Sequence, residues 1–346
     1  MSVYWTMYLL PMLMALSPFR GTSHLRLAGW WVAGIAYGLL IGLRYEVGGD
    51  WLPYLENSLV FSRMDFVESI FLTDPGYVAV DWISANAGAG IYGVNLVCGG
   101  IFMAGLISFS RKQPLPWLAF AISVPYLLIV VSMGYTRQAA ALGLILLALG
   151  ELQQMRVARY VVLIAAAALF HNTAVVLMPL ALFTPGMVNI PRIVGVTFLF
   201  VLTAAFSLAQ QFETLWFRHV VSFTESEGGA IRVWMNIVPA LIFLWYWKRW
   251  RNRFTDQWLW GWFAVLSVIC VSLVGIASTA VDRFALYLTP IQLVVFSRLP
   301  LLIGEPALRG AIVVTILGTY GLVLWVWLNY AVHAFAWVPY QNVLFQ

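Results

Sequence analysis

Residues 233–276 read VWMNIVPALIFLWYWKRWRNRFTDQWLWGWFAVLSVICVSLVGI. Two apolar runs, 233–247 and 258–276, flank a joint that carries Lys248, Arg249, Arg251 and Arg253. Such runs suit helices crossing a hydrocarbon core of ~30 Å, because a helix rises ~1.5 Å per residue and satisfies its own backbone hydrogen bonds there. The four cations set a direction, since short loops rich in Lys and Arg stay on the cytoplasmic side. The segment therefore reads as two membrane spans joined inside the cell.

The rest of the chain repeats this pattern. Its 346 residues are 62% hydrophobic and only 10% charged, against ~25% charged in ordinary soluble domains, and mean hydropathy is +0.87. Further candidate spans are 3–17, 27–43, 91–109, 117–132, 135–150, 193–212, 284–303 and 311–330, about ten in all with the two above. The N-terminus lacks the basic flank and small-residue cleavage site of a signal peptide, so 3–17 reads as a retained span. No stretch is polar enough for an aqueous domain. The expected fold is all-α, one polytopic transmembrane bundle over 1–346 with outer loops near 44–90 and 213–232. Alternation from the 248–253 cluster places thirteen Lys and Arg with three acids inside, and six arginines with eleven acids outside. This parity needs both ends of 160–183 inside, which predicts a short helical hairpin turning at His171, Asn172 and Thr173. The alternative is one full span there, with 193–212 failing to cross.

Ionisable groups near bilayer depth are expensive to desolvate, so they carry the functional information. Arg44, Arg137, Arg232 and Arg283 each stand at the outer end of an expected span; each either snorkels or pairs with an acid, or binds an anion. In RYEVGGDWLPY (44–54), two glycines allow a tight bend and Asp50 precedes what reads as the first turn of a helix, as a cap or as a site carboxylate. Asp74-Pro75-Gly76-Tyr77 opens a helical run ending near Gly88, with Asp74 in the capping position. Arg137 and Gln138 start a small-residue helix, so the guanidinium meets the positive end of the helix dipole and calls for an anion, whose paired oxygens its planar fork matches. His171 interrupts an apolar stretch, as a neutral capping group or as a base. Cys98 and Cys270 lie in apolar runs as small core residues. Walker, zinc-helix, nucleophile-elbow and paired-cysteine signatures are absent from the sequence.

Arg44, Gly48, Asp50 and Tyr54, then Pro75-Gly76-Tyr77, Arg137-Gln138 and Ala168-Leu-Phe-His171 follow in the order of a known pattern, with Arg283 and Tyr287 near the end. On these residues the chain resembles the EpsG family of Wzy-like bacterial polysaccharide polymerases. The resemblance implies a GT-C-like membrane glycosyltransferase at the outer face of the bacterial cytoplasmic membrane. It would join oligosaccharide repeat units carried on undecaprenyl diphosphate, without a nucleotide sugar, cofactor or metal. Arg137, Arg232 and Arg283 would bind the diphosphate, Arg44 would share that pocket or position Asp50, and Asp50 or His171 would activate the acceptor hydroxyl. Tyr54, Gln138 and Tyr287 would complete the substrate pocket. Membrane lipid, a flippase and a chain-length-regulating co-polymerase are the partners implied, and no nucleic acid. A glycan ligase, a flippase or exporter of lipid-linked oligosaccharide, and a membrane acyltransferase are the alternatives.

Overall fold

A computed structural model describes residues 1–17, 23–186, 190–216, 229–275 and 278–346. Among these the chain is helical and has no strand, only an isolated bridge between Arg44 and Asn342. The helices are α1 (Ser2–Leu16), α2 (Ser23–Gly42), α3 (Trp51–Phe61), α4 (Pro75–Asn86), α5 (Gly90–Arg111), α6 (Pro116–Gly134), α7 (Thr136–Leu152) and α8 (Val157–Phe170). After a 3-10 segment, Asn172–Phe183, come α9 (Ile190–Trp216), α10 (Gly229–Trp245), α11 (Gln257–Leu273), α12 (Val281–Leu302) and α13 (Pro306–Tyr330). Five of these, α2, α5, α6, α12 and α13, are long and apolar enough to cross a membrane unaided; α1, α10, α11 and part of α9 are shorter apolar helices. The expected spans are all helical over most of their length. Most of the expected outer loop at 213–232 lies outside the described residues.

The bundle is organised around α6, 89% buried across its span. Pro125 cannot donate an amide hydrogen, and the helix widens to π geometry over Val124–Val131 before it breaks at Tyr135. Helices α5 and α7 meet at Gly105 and Gly143: a β-carbon on Gly105 would strike the Gly143 backbone and one on Gly143 would strike the backbone of Ile101 and Phe102, so the two small residues set the closest approach. A buried polar chain ties the C-terminal half together. Asn236 donates to the Ala285 carbonyl at 2.7 Å, Gln292 donates to Asn236 at 2.7 Å, and Tyr320 donates to Gln292 at 2.6 Å.

At the opposite end of the bundle from Arg44, Asp256 and Arg298 form a buried bidentate pair, 2.7 and 2.9 Å. Gln153 and Trp260 also donate to Asp256, and Arg298 donates to Gln113, so four segments share one charge pair.

The turn at His171 is as expected in place but not in form. Helix α8 stops at Phe170, His171 is extended, and the Tyr160 hydroxyl donates to the Leu177 carbonyl. A continuous helix would hold residues so far apart in sequence ~25 Å from each other, so the chain doubles back. The returning arm is 3-10 rather than α, and Pro179 within it removes a donor. Beyond α13, residues 331–346 fold back over the turn that follows α2, with Gly48, Tyr45 and Val343 amides donating to the carbonyls of Ala336, Gln341 and Leu43.

Candidate functional site

The site begins with the turn 44–50. Arg44 is 1% exposed, and its guanidinium donates to the carbonyls of Ile41 and Val47, to Asn95 Oδ1 and to Thr136 Oγ1, at 2.6 to 3.1 Å. Four of its five N–H groups are thereby used. Gly48 takes φ +111°, and a side chain there would collide with the Met133 carbonyl, so only glycine lets this turn lie on the end of α6. Trp337 closes the arrangement from outside. Its ring rests against both Gly49 and Gly134, its indole N–H donates to the Ile129 carbonyl at 3.0 Å, and Tyr4 donates to its carbonyl. One side chain thus touches the neighbour of Asp50 and the segment leading into Arg137.

Asp50 stands at the N-cap of α3 but makes no capping hydrogen bond. Of the two readings open to it, a helix cap is therefore not what its side chain does. The carboxylate is half-buried. Burial pushes its pKa above the usual carboxylate range, while the positive charges of Arg137 and Arg283 oppose that rise.

Asp74 likewise occupies the N-cap of α4 without capping it, which corrects the expected role. Its carboxylate is instead 1% exposed and spans three segments. Oδ2 accepts from Arg137 Nη1 at 3.0 Å, Oδ1 accepts from the Asn172 amide at 3.1 Å, and His171 Nδ1 lies 3.6 Å away, too far for a hydrogen bond. This contact requires α4 to lie on α8, and it does so because Gly76 has no side chain to strike the Leu169 backbone. Gln138 Nε2 sits 3.0 Å from His171 Nε2. With Gln138 as donor, the imidazole proton rests on Nδ1, directed toward Asp74.

Arg137 also donates to Thr73 at 2.9 Å and lies over the rings of Tyr54 and Tyr77, 5.7 Å from each centroid. Its side chain nevertheless keeps 31% of its surface exposed, so the guanidinium is oriented without being enclosed. Arg283 acts electrostatically on Asp50, His171 and Tyr287, and Tyr287 shares a hydrogen bond of 3.1 Å with Thr173, on the returning arm of the hairpin. Arg232 is held in a bidentate ion pair by Asp282, with Tyr135 beside both. Partners are thus unevenly shared: Arg44 has protein acceptors for four of its N–H groups and Arg232 pairs with Asp282, whereas Arg137 keeps 31% of its side chain exposed and Asp50 caps nothing.

The structure brings Asp50, Tyr54, Arg137, Gln138, His171, Arg283 and Tyr287 to one end of the bundle, with Arg44 beneath the turn and Arg232 at the Tyr135 side. Sequence reasoning missed the anchoring role of Asp74, the pairing of Asp282 with Arg232, and Trp337. The first two had a faint signal, acids beside arginines of the pattern; Trp337 had none, since aromatic residues abound throughout the chain. Among the described residues no group of three or more His, Cys, Asp or Glu side chains is placed to hold a metal ion.

A protein-family model described as the EpsG family matches residues 30–342. Comparison with curated proteins and with solved structures returns no match.

Proposed function

The chain belongs to the EpsG family of Wzy-like polysaccharide polymerases, and we propose that it extends a bacterial polysaccharide by joining repeat units carried on undecaprenyl diphosphate at the outer face of the cytoplasmic membrane. In this reaction the anomeric carbon of the growing chain leaves its diphosphate oxygen and bonds to a hydroxyl oxygen of the incoming unit. The electron pair departs with the lipid diphosphate, and the hydroxyl proton passes to a base.

The observation that carries this reading is the uncapped, half-buried Asp50 carboxylate, which lies within electrostatic reach of Arg137 and Arg283. A diphosphate is already a fair leaving group, so catalysis calls mainly for cations aimed at its developing charge and a base beside the acceptor. Arg137 and Arg283 serve as the cations. Asp50 serves as the base, with its raised pKa making it a stronger proton acceptor than a solvated carboxylate. His171, whose Nε2 meets Gln138 at 3.0 Å, holds the hairpin turn against the start of α7. Arg232 enters through its pair with Asp282, the neighbour of Arg283, and so positions the diphosphate site rather than binding it alone. Arg44 holds the 44–50 turn. Tyr54 and Tyr287 pack around the sugar-phosphate path.

A strain lacking the protein tests the reading. Accumulation of single lipid-linked repeat units supports a polymerase; accumulation of full-length unattached chains points to a ligase, and units trapped inside the membrane to a flippase. Complementation then separates the two base candidates: Asp50→Asn makes no polymer while His171→Ala makes some, at matched protein levels. The reverse result exchanges their roles.

A further inference from the structure

We propose that the groove between α2 and α5 is a binding site for one anionic glycerophospholipid. The groove has a volume of about 660 Å³ and opens on the outside of the bundle. Its floor is made by small residues, Gly34, Gly100 and Ala104, with Met103 and Ile107 as apolar walls. From Gly100 to Arg111 it follows α5 for twelve residues, or ~18 Å, close to one leaflet's share of a ~30 Å hydrocarbon core. That length and lining fit a single acyl chain.

One end of the groove is polar. Arg111 and Lys112 line it there, with the Ser108 hydroxyl one turn before them, and the exposed Trp31 stands on the facing helix. Among the described residues no acid or other acceptor is paired with either cationic side chain. At the same end of the bundle Arg156 and Arg159 pair with Glu151, and Arg298 with Asp256. The Lys112 ammonium is also held in place, lying where a side chain on Gly150 would otherwise stand. An apolar slot one leaflet long, ending in two uncommitted cations, a hydroxyl and an interfacial Trp, matches a lipid with an anionic phosphate headgroup.

The occupant is not the lipid-linked substrate. Asn95, near the start of α5, bonds Arg44 beneath the Asp50 turn, whereas Arg111 is the last residue of the same helix. The cationic end of the groove is therefore across the membrane from the candidate active site, and the inference stands whatever reaction that site performs.

Full-length protein, purified in detergent and freed of lipid, is titrated with phosphatidylglycerol and with phosphatidylcholine of the same chains, and bound lipid is read by native mass spectrometry. Two cations at about 1 kcal/mol each correspond to a preference of roughly 30-fold for the anionic lipid. The Arg111→Gln, Lys112→Gln double variant brings that ratio near one. Gly100→Leu, whose β-carbon points into open space, fills the groove and weakens both lipids while the melting temperature in detergent holds. Equal binding of the two lipids by the unmodified protein, an unchanged ratio in the double variant, or displacement of phosphatidylglycerol by a polyprenyl phosphate would overturn the proposal.

Discussion

Two arginine–aspartate pairs, each with a buried carboxylate, stand at opposite ends of this bundle. In one, Arg298 and Asp256 use both oxygens and both terminal nitrogens on each other, and Gln113, Gln153 and Trp260 take the remaining positions. The Phe254 ring lies 4.7 Å from the guanidinium carbon and seals one face. In the other, Arg137 meets Asp74 through a single nitrogen, keeps 31% of its surface exposed, and has beside it a His171 Nδ1 with no hydrogen-bond partner and an Asp50 that caps nothing. Both clusters tie distant segments together. Only the second leaves charge unspent, and unspent charge in a desolvated place is what a substrate can use.

The comparison can be broken by separating stability from activity. Asp50→Asn is expected to lower polymerisation by about 10²–10⁴-fold, the usual range for a general base, with an unchanged melting temperature in detergent. Because burial raises the pKa of Asp50, the unmodified enzyme should lose activity as pH falls through a midpoint above the ordinary carboxylate range: protonation removes the base. Asp256→Asn should leave that pH profile where it is.

Asp256→Ala should act in the opposite sense, costing about 3–5 kcal/mol of stability by leaving Arg298 buried without its counter-ion, which early melting would reveal. Replacing both partners, Asp256→Leu with Arg298→Met, should recover most of the loss. The equivalent double change at Asp74 and Arg137 should recover stability and never polymer. Recovery of polymer there would erase the distinction between the two pairs.

Arg137→Gln and Arg283→Gln are each expected to lower polymerisation by about 10²–10³-fold, as for removal of one donor from a developing negative charge. Normal polymer from either variant, at matched protein levels in the membrane, removes that residue from the site. The smallest effect expected is at Trp337. Trp337→Phe keeps an aromatic ring but loses the hydrogen bond to Ile129 and part of the contact with Gly49 and Gly134. A slight shift of Asp50 relative to Arg137 should slow turnover about tenfold, with substrate affinity little changed.

Much of the bundle is legible in the sequence alone. The helices over 27–43, 91–109, 117–132 and 311–330 follow from long apolar runs, because in a membrane an apolar segment has few ways to satisfy its backbone other than a helix. The turn at His171 followed from charge parity. The helix start at Asp74-Pro75 was also readable, but the use of the Asp74 side chain was not: capping is a local habit, and the native carboxylate is drawn away by Arg137 and the Asn172 amide, 63 and 98 residues distant in sequence.

What the sequence determined by itself is a polytopic helical membrane protein with arginines at costly positions, since hydropathy and charge alternation act locally and survive in one dimension. Which of those arginines keep an open face is a property of packing. Arg44 and Arg232 found partners through contacts that no spacing rule anticipates, from Asn95 and Thr136 in one case and from Asp282 in the other. The same folding brought Asp50 within electrostatic reach of Arg137 beside a turn held by Trp337 from the far end of the chain, because a hydrogen bond or ion pair between remote residues forms only after helices have chosen their neighbours.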